Sequence, residues 1–318
     1  MSRYYSVEIE GGATYTSLVG GQTDPNALNV ELDISVVGAA TPVGGAYVRV
    51  WGVGLKAISQ SRDLWNKKIT VRGGMAKGLP LANPAQAGVL ASGLITKAFG
   101  NWIMTDQTLD IIFSASAATN GTGGVNPKHP NNHLVLNWKK GQALGPALQQ
   151  ALTTAFPGVK IALNIAKNVV APQDQPGFFA NLQQLAFYVG RMSQQIVGGS
   201  YQGVSIVHTG SQITVADQGQ SGVGTLSYTD LVGQPTWIGP QTIQFKTIMR
   251  ADLNVLDKIT MPKTWINSSS EGAATAGTNM QAVAFQGQFQ IVSMRHVGNF
   301  RQPSGDAWCT IFEATSQS

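Results

Sequence analysis

Apolar and polar residues alternate along most of this chain, and the alternation predicts many short strands. A period of two places every second side chain on one face, as in a half-buried β-strand. The segments that show it are 5–9, 28–36, 46–51, 67–73, 90–102, 109–115, 133–138, 159–165, 204–215, 243–249 and 285–296. Short strands at such spacing, separated by Gly and Pro turns, indicate a barrel or a sandwich and not a parallel α/β sheet.

Two stretches in the middle of the chain have a different period. Apolar residues recur at spacings of three and four within 144–155 and again within 178–196, which predicts two amphipathic helices. The Gly- and Asn-rich segment 116–130 before them is the clearest boundary. We therefore expect a mainly β protein with an α+β insert: a β-barrel over 1–115, the α+β module over 116–200 and a second β-barrel over 201–318.

Few residues carry charge, and this bears on how the surface is used. Charged residues make up 12% of the chain, whereas about a quarter of residues are charged in an average soluble domain. So few charges indicate a surface that is covered in an assembly, and a neutral, polar β-protein surface is the alternative. The net charge of +5 includes no run of Lys or Arg longer than two, which argues against nucleic-acid binding.

The cysteine content and the hydropathy bear on where the protein folds. Cys309 is the only cysteine, so no disulfide forms within the chain, as is typical of cytosolic folding. The N-terminal residues MSRYYSVEIEGG lack the apolar core of a signal peptide, and no uncharged apolar stretch is long enough to span a bilayer. We expect a soluble protein without a membrane anchor or a standard export signal.

The sequence offers no pattern typical of a catalytic, cofactor-binding or metal site. His129 and His133 are four residues apart, but the prolines around them argue against the helix that would place both on one metal. His208 and His296 have no nucleophile motif beside them, and the glycine pairs form no phosphate-binding loop. We expect no metal, no cofactor and no enzymatic activity.

Close pairs of carboxylates are the remaining candidates for chemistry, because glycoside hydrolysis uses two acidic side chains. The pairs are Glu8 with Glu10, Glu31 with Asp33, and Asp106 with Asp110. The first two pairs alternate with apolar residues, so they are expected on the solvated faces of strands.

Three short motifs in the C-terminal part of the chain resemble those of a known family. They are Gly-Gln-Pro-Thr before a strand at 233–236, a bend with Leu, Asn, Asp and Ile within 253–259, and His-x-Gly-Asn at 296–299 followed by Trp308 on the last strand. In this order the motifs resemble the central baseplate hub proteins of tailed bacteriophages. The first hundred residues are similar to that family in the order of their elements, at 46–52, 69–74 and 93–95.

The resemblance implies two tube-like β-barrels flanking the α+β module and a structural role in the virion, at the tail tip or baseplate. The subunit would form a homotrimer whose six barrels make a pseudo-sixfold ring, between the tail tube protein and the central spike protein. Other baseplate proteins would be further partners, and the genome would pass through the lumen without specific binding, with the basic residues outside the bore. Synthesis and assembly would take place in the cytoplasm of the bacterial host.

Two alternatives remain open from the sequence. A distal tail or tube-initiator protein has the same kind of barrel and would form a hexameric ring. A tail-associated cell-wall hydrolase belongs to a different functional class and would use one of the carboxylate pairs.

Aromatic and arginine side chains are enriched in protein interfaces, and we expect interface residues among them. The candidates are Trp237, Trp265, Arg250, Arg295 and Arg301. The two tryptophans are chosen because Trp237 follows a turn and Trp265 precedes the segment 267–278, which is expected to be a surface loop or an arm that orders against a neighbouring subunit. The other tryptophans are expected to be core anchors.

Overall fold

The computed structural model describes residues 3–37, 45–76, 83–114, 134–157, 159–199, 201, 203–208, 212–217, 223–262, 285 and 287–316. Within these residues the chain is mainly β, with an α+β module between two curled β regions. The expected fold class is therefore confirmed. Apart from the segment 204–215, the limits of the three units stay a prediction.

The first β region contains strands β1 to β9 and one short helix. Their bounds are β1 Arg3–Ile9, β2 Thr14–Thr16, β3 Leu18–Val19, β4 Gln22–Thr23, β5 Val30–Val37, β6 Gly45–Trp51, α1 Leu55–Ser59, β7 Lys68–Met75, β8 Gly88–Ile103 and β9 Asp106–Ser114. The long strands form an antiparallel sheet in the order β5-β6-β9-β8-β7-β1.

This sheet curls around a single apolar core. Tyr5, Leu32, Val48, Ile69 and Phe113, which come from five of its strands, are buried in one cluster. The Tyr5 hydroxyl also donates to the backbone carbonyl of Leu28, 2.6 Å away, and so links the last strand of the sheet to the residues before its first strand. A flat sheet would keep these strands apart, so the sheet forms a barrel wall.

The middle module combines two helices with two small sheets. Its elements are β10 Leu134–Trp138, α2 Leu144–Ala155, β11 Lys160–Asn164, β12 Gln175–Phe179, α3 Leu182–Val197, β13 Ser205–His208 and β14 Gln212–Ala216. Strands β10 and β12 pair antiparallel, and β14 pairs with β13 and, in parallel, with β11. Within the described residues, no helix is long and apolar enough to cross a membrane.

Two details of the middle module differ from the sequence prediction. The second helix was expected from residue 178, but Phe178 and Phe179 belong to β12, and α3 begins at Leu182 because the Asn181 side chain accepts a hydrogen bond from the Gln184 amide, 2.9 Å away. The segment 204–215 was expected in the second barrel, but it pairs with β11 in this module. The alternation of apolar residues does not show whether this segment belongs to the middle module or to the second barrel. Both faces of the β13–β14 pair are buried, one against the core of the middle module and the other against the core of the second barrel.

The second β region contains the remaining strands. They are β15 Val223–Thr225, β16 Thr236–Trp237, β17 Thr242–Ile248, β18 Lys258–Thr260, β19 Gln288–Asn299 and β20 Trp308–Ser316. The order is β16-β17-β20-β19, with β18 beside β19 and β15 beside β18. Phe245 and Phe312 stack at 5.1 Å in its core, together with Ile243, Ile259 and Phe289.

Strand β19 belongs to both curled regions. Its first residues pair with β18, and its residues from Ser293 to Asn299 pair with β5, so one continuous sheet passes from the second barrel into the first. Gly298 is a point of close approach in this shared wall, because a Cβ there would lie 2.7 Å from the Trp308 ring and 2.9 Å from Leu32. This close packing accounts for Gly298 and Trp308 among the motif residues.

The opposite edge of the first sheet is also fastened to the β19–β20 pair. The Arg3 guanidinium on β1 is buried and donates to the backbone carbonyls of Asn299 at 2.7 Å, Ser304 at 2.7 Å and Phe300 at 3.3 Å, and to that of Gln302. The indole Nε1 of Trp308 donates to the carbonyl of Gly74 on β7, 2.9 Å away. Both ends of the first sheet therefore meet at β19 and β20, which closes the barrel.

Candidate assembly surfaces

Trp237 lies on the edge strand β16, with its ring half-buried. The ring stacks on Phe285 with centroids 5.6 Å apart and lies 6.1 Å from Phe289, so most of its contacts belong to the second core. The next residue, Ile238, is 50% exposed at the turn between β16 and β17. An interface role for Trp237 stays a prediction, and Trp265 lies outside the described residues.

Arg250 does not lie on the surface, which corrects its choice as an interface candidate. It is 3% exposed, and its guanidinium donates to Asp252 at 2.6 and 2.7 Å and lies 3.3 Å from Asp230. Asp230 also accepts a hydrogen bond from Gln86 of the first barrel, 3.1 Å away, and the Gln86 carbonyl accepts from the amide of Ala251 at 2.7 Å. Arg250 therefore stabilises the junction between the two barrels.

Arg295 and Arg301 remain accessible, although each has partners within the chain. The guanidinium of Arg295 on β19 forms a bidentate ion pair with the carboxylate of Asp33 on β5, and its Nε lies 2.7 Å from one carboxylate oxygen. Arg301 is exposed and donates to the carbonyls of Ala27 at 2.5 Å and Pro25 at 3.3 Å. Their role in contacts between subunits stays a prediction.

The described residues contain no group of three or more His, Cys, Asp or Glu that could hold a metal ion. His208 and His296 are buried in separate places, and burial lowers the pKa of each to about 4. His296 Nδ1 lies 2.9 Å from the Thr310 hydroxyl, and the His208 ring packs edge-on against Phe156 with centroids 5.5 Å apart. Both therefore act as neutral core side chains at neutral pH.

The carboxylate pairs that the sequence singled out contribute to structural contacts. Glu8 pairs with Arg72 at 3.2 Å across β1 and β7, and Asp33 pairs with Arg295. Asp110 is buried on β9, where it accepts from Arg49 and from the Tyr47 hydroxyl, 2.5 and 2.6 Å away. Burial of the phenol and its hydrogen bond to Asp110 raise the pKa of Tyr47.

Two open pockets lie on the first barrel. One, of about 500 Å³, has apolar side chains including Ile9, Tyr15 and Leu109 together with Lys56 and Lys67. The other, of about 350 Å³, lies beside β5 and β19 and is lined by Glu31, Asp33 and Asp306 among others. Neither is lined by a histidine or a cysteine, so neither provides a nucleophile with a neighbouring imidazole base.

The tip of the β8–β9 hairpin is apolar and exposed. Trp102, Ile103 and Met104, which we call the hairpin tip, are 63%, 67% and 90% exposed. They lie beyond the last residue pair of the β6–β9 ladder, Trp51 and Thr108, so no neighbouring strand among the described residues covers them. This surface was not predicted from the sequence, because Trp102 was expected to be a core anchor. An apolar Trp-Ile-Met run at a turn between two strands was the available signal.

A second uncovered apolar surface lies on the middle module. Val135 on β10 and Phe178 on β12 are direct cross-strand partners on the outer face of their two-stranded sheet, and both are exposed. The opposite face, with Leu134, Leu136 and Trp138, is buried. Exposed apolar surfaces of this kind bind other proteins more readily than they perform chemistry.

The buried histidines predict a dependence of stability on pH. The ordinary pKa of His is about 6.5, and His208 and His296 have pKa values of about 4 in the folded chain. Their contribution is complete above pH 6.5 and is lost as the pH falls toward 4, because the unfolded chain then binds protons that the folded chain does not. The expected loss is about 2 kcal/mol per histidine between about pH 7 and pH 5.

Replacing His208 with Leu removes the contribution of one of the two histidines to this pH dependence. Urea denaturation at both pH values should show that the His208→Leu variant loses about half as much unfolding free energy as the wild type. Equal losses in the two proteins would contradict the assignment of His208 as a buried neutral group. The exposed Lys97→Leu substitution controls for an added apolar side chain.

Comparisons with known proteins agree with the fold. No protein-family profile and no curated protein matches the sequence. Among solved structures, the chain is similar to a tail protein of Neisseria meningitidis MC58, with a TM-score of 0.54, 10% identity, and coverage of 100% of this chain and 97% of the other. It is also similar to the 43 kDa tail protein of prophage MuSo2 from Shewanella oneidensis, with a TM-score of 0.53, 9% identity and coverage of 99% and 97%.

A third similar structure comes from a secretion machine. It is a component of the type VI secretion system of E. coli, described as structurally similar to the T4 bacteriophage tail proteins gp27 and gp5. The TM-score is 0.52 and the identity 9%, and the match covers 98% of this chain and 77% of the other. At these identities the comparisons establish a common fold.

Proposed function

We propose that this chain, which has the fold of phage tail proteins, is a structural tail subunit and serves as the baseplate hub. Three copies would form a ring that joins the tail tube protein to the central spike protein. The proposal rests on the fold shared with tail proteins of two bacterial genomes and on the motifs that resemble the hub family.

The observation that carries the proposal is the strand shared by the two barrels. Because β19 pairs with β18 in one barrel and with β5 in the other, the two barrels are held side by side in one chain. A closed ring of three such chains presents six barrels. That number matches a sixfold tube on one side, while the threefold symmetry of the chains matches a trimeric spike on the other.

The partners and location follow from this arrangement. The subunit would contact itself, the tail tube protein, the spike protein and other baseplate proteins at the tail tip of the virion, after synthesis in the host cytoplasm. The low share of charged residues, 12%, suits a chain whose surface is covered by neighbours. The genome would pass through the lumen, so the basic side chains are expected outside the bore, where they do not retain DNA.

The alternatives predict different measurements. A distal tail or tube-initiator protein would form a ring of six chains, which has twice as many barrels. A cell-wall hydrolase would clear peptidoglycan in a zymogram, and we expect no clearing, because the carboxylates of the pairs contribute to structural ion pairs and hydrogen bonds.

Electron microscopy of the purified protein in negative stain tests the ring. We expect a ring of six similar densities around a central opening, with threefold symmetry in averaged images. A ring of twelve densities with sixfold symmetry would contradict the hub and favour the distal-tail alternative.

A further inference from the structure

The residue at the hairpin tip is unusual for its backbone conformation. Met104 is the first residue of the two-residue turn between β8 and β9 and has a φ of +54°. Residues other than glycine rarely adopt such a φ, and glycine, asparagine or aspartate is usual in tight hairpin turns. The chain instead places there a Met side chain that is 90% exposed. Such strain at an exposed side chain indicates a role in a contact.

The position of the tip shows which neighbour it faces in a ring. Both ends of the first sheet, β5 and β1, are fastened to β19 and β20. In the order β5-β6-β9-β8-β7-β1 the strands β9 and β8 are the central pair. Strand β8 begins beside Ala251 at the junction of the barrels, but its hairpin end is level with Trp51 on β6 and with Asn299, the end of β19 that is remote from β18. The hairpin end therefore lies on the side away from the second barrel of the same chain. In a ring of alternating first and second barrels, that side faces the second barrel of the next copy.

The second barrel offers a matching surface on its own far side. In the order β16-β17-β20-β19-β5, the edge strand β16 is the strand most distant from β5. Its turn toward β17 carries Ile238, which is half exposed, and no charged residue occurs from 231 to 245. The hairpin is likewise free of charge from 98 to 105. Two uncharged apolar surfaces lose little hydration free energy when they meet.

We propose that the hairpin tip of one copy packs against the β16–β17 turn of the next copy, around Ile238. The contact is heterologous, since each subunit uses a different surface on each side, and repeated contacts of this kind form a ring when the rotation from one subunit to the next closes. This inference rests on the trimeric ring proposed above and names the surfaces that form it.

Cysteine cross-linking tests the contact directly. A protein carrying both Met104→Cys and Ile238→Cys, treated with a bismaleimide that has a flexible spacer, should give covalent trimers. Co-expressed single variants should give covalent dimers only, and each single variant alone should give none. The native Cys309 is buried, so cross-linking of the wild type measures the background from this thiol. Cross-linking of the Met104→Cys variant with itself would overturn the heterologous contact.

Substitutions at Met104 separate assembly from folding. Met104→Gly removes the side chain and relieves the positive φ, so the variant should unfold at the same or a higher temperature than the wild type while its trimer dissociates at least about tenfold more readily. Val19→Glu, at an exposed apolar residue of β3, should leave assembly unchanged. If Met104→Gly assembles like the wild type, the proposed contact is wrong, whereas the proposed trimeric ring is not affected. If the wild type forms hexamers, both the contact and the trimeric ring are overturned.

Vesicles of anionic and zwitterionic phospholipid address the other class of partner. A hairpin with Trp, Ile and Met at its tip could also enter a lipid surface. We expect no binding in a flotation assay. Binding that is lost in Met104→Gly, together with an unchanged trimer mass, would assign the tip to a membrane and overturn the proposed contact.

Discussion

Replacing Arg3 with Met is expected to lower the free energy of unfolding by about 3 kcal/mol, one of the two largest losses among single substitutions considered for this chain. The Arg3 guanidinium is buried and donates to four backbone carbonyls, that of Asn299 at the end of β19 and three in the segment between β19 and β20. Hydrogen bonds from a charged donor are worth about 1.5–3 kcal/mol each, and part of this is recovered when water reaches the freed carbonyls of an exposed turn. Urea denaturation measures the loss.

Two further variants define the cause. Arg3→Lys keeps the charge but cannot present several donors in one plane, so it should lose about half as much as Arg3→Met. Arg62→Met makes the same change at an exposed arginine and should alter the free energy of unfolding by less than about 0.5 kcal/mol. A loss in Arg3→Met no greater than that of Arg62→Met would contradict the closure of the first barrel by this side chain.

Replacing Arg250 with Met should cost about 3–4 kcal/mol. The substitution removes two short hydrogen bonds to Asp252 and leaves the buried Asp230 carboxylate without its cation. Burial raises the pKa of Asp230, but hydrogen bonds from Gln86 and Ser227 and the charge of Arg250 outweigh it, so the net pKa is lowered. Breaking a buried ion pair by removing one partner is strongly destabilising.

A double-mutant cycle tests the coupling between Arg250 and Asp230. Asp230→Asn removes the charge that Arg250→Met leaves unpaired, so the double variant should be more stable than the sum of the two single losses predicts. Asp252→Asn, at a partly exposed carboxylate, should cost only about 1 kcal/mol. Additive losses for Arg250 and Asp230 would contradict a direct ion pair at the junction of the barrels.

The sequence predicted those helices and strands that bury only one face, because their apolar residues then recur with a single period. The strands β5 and β6 and the helix α2 follow directly from their period, because each buries one side. The pattern misplaced the segment 204–215 because its two faces pack on different cores, which period-two alternation cannot distinguish. The start of α3 depended on the side chain of Asn181, which acts over three residues.

Surface sites were harder to predict than elements. Arg250 was chosen for its residue type, but its ion pairs with Asp230 and with the nearby Asp252 depend on two segments that come together only in the folded chain. Trp102 and Trp138 look alike in sequence, yet one is exposed at a hairpin tip and the other is fully buried under α2. Whether a tryptophan is covered depends on how far a strand extends beyond its neighbours, which composition does not report.

The central claim is that three chains form the ring, and the mass in solution tests it most directly. Multi-angle light scattering across a concentration series should give the mass of three 33.6 kDa subunits. A mass of six subunits would contradict the hub proposal and identify the distal-tail or tube-initiator arrangement instead.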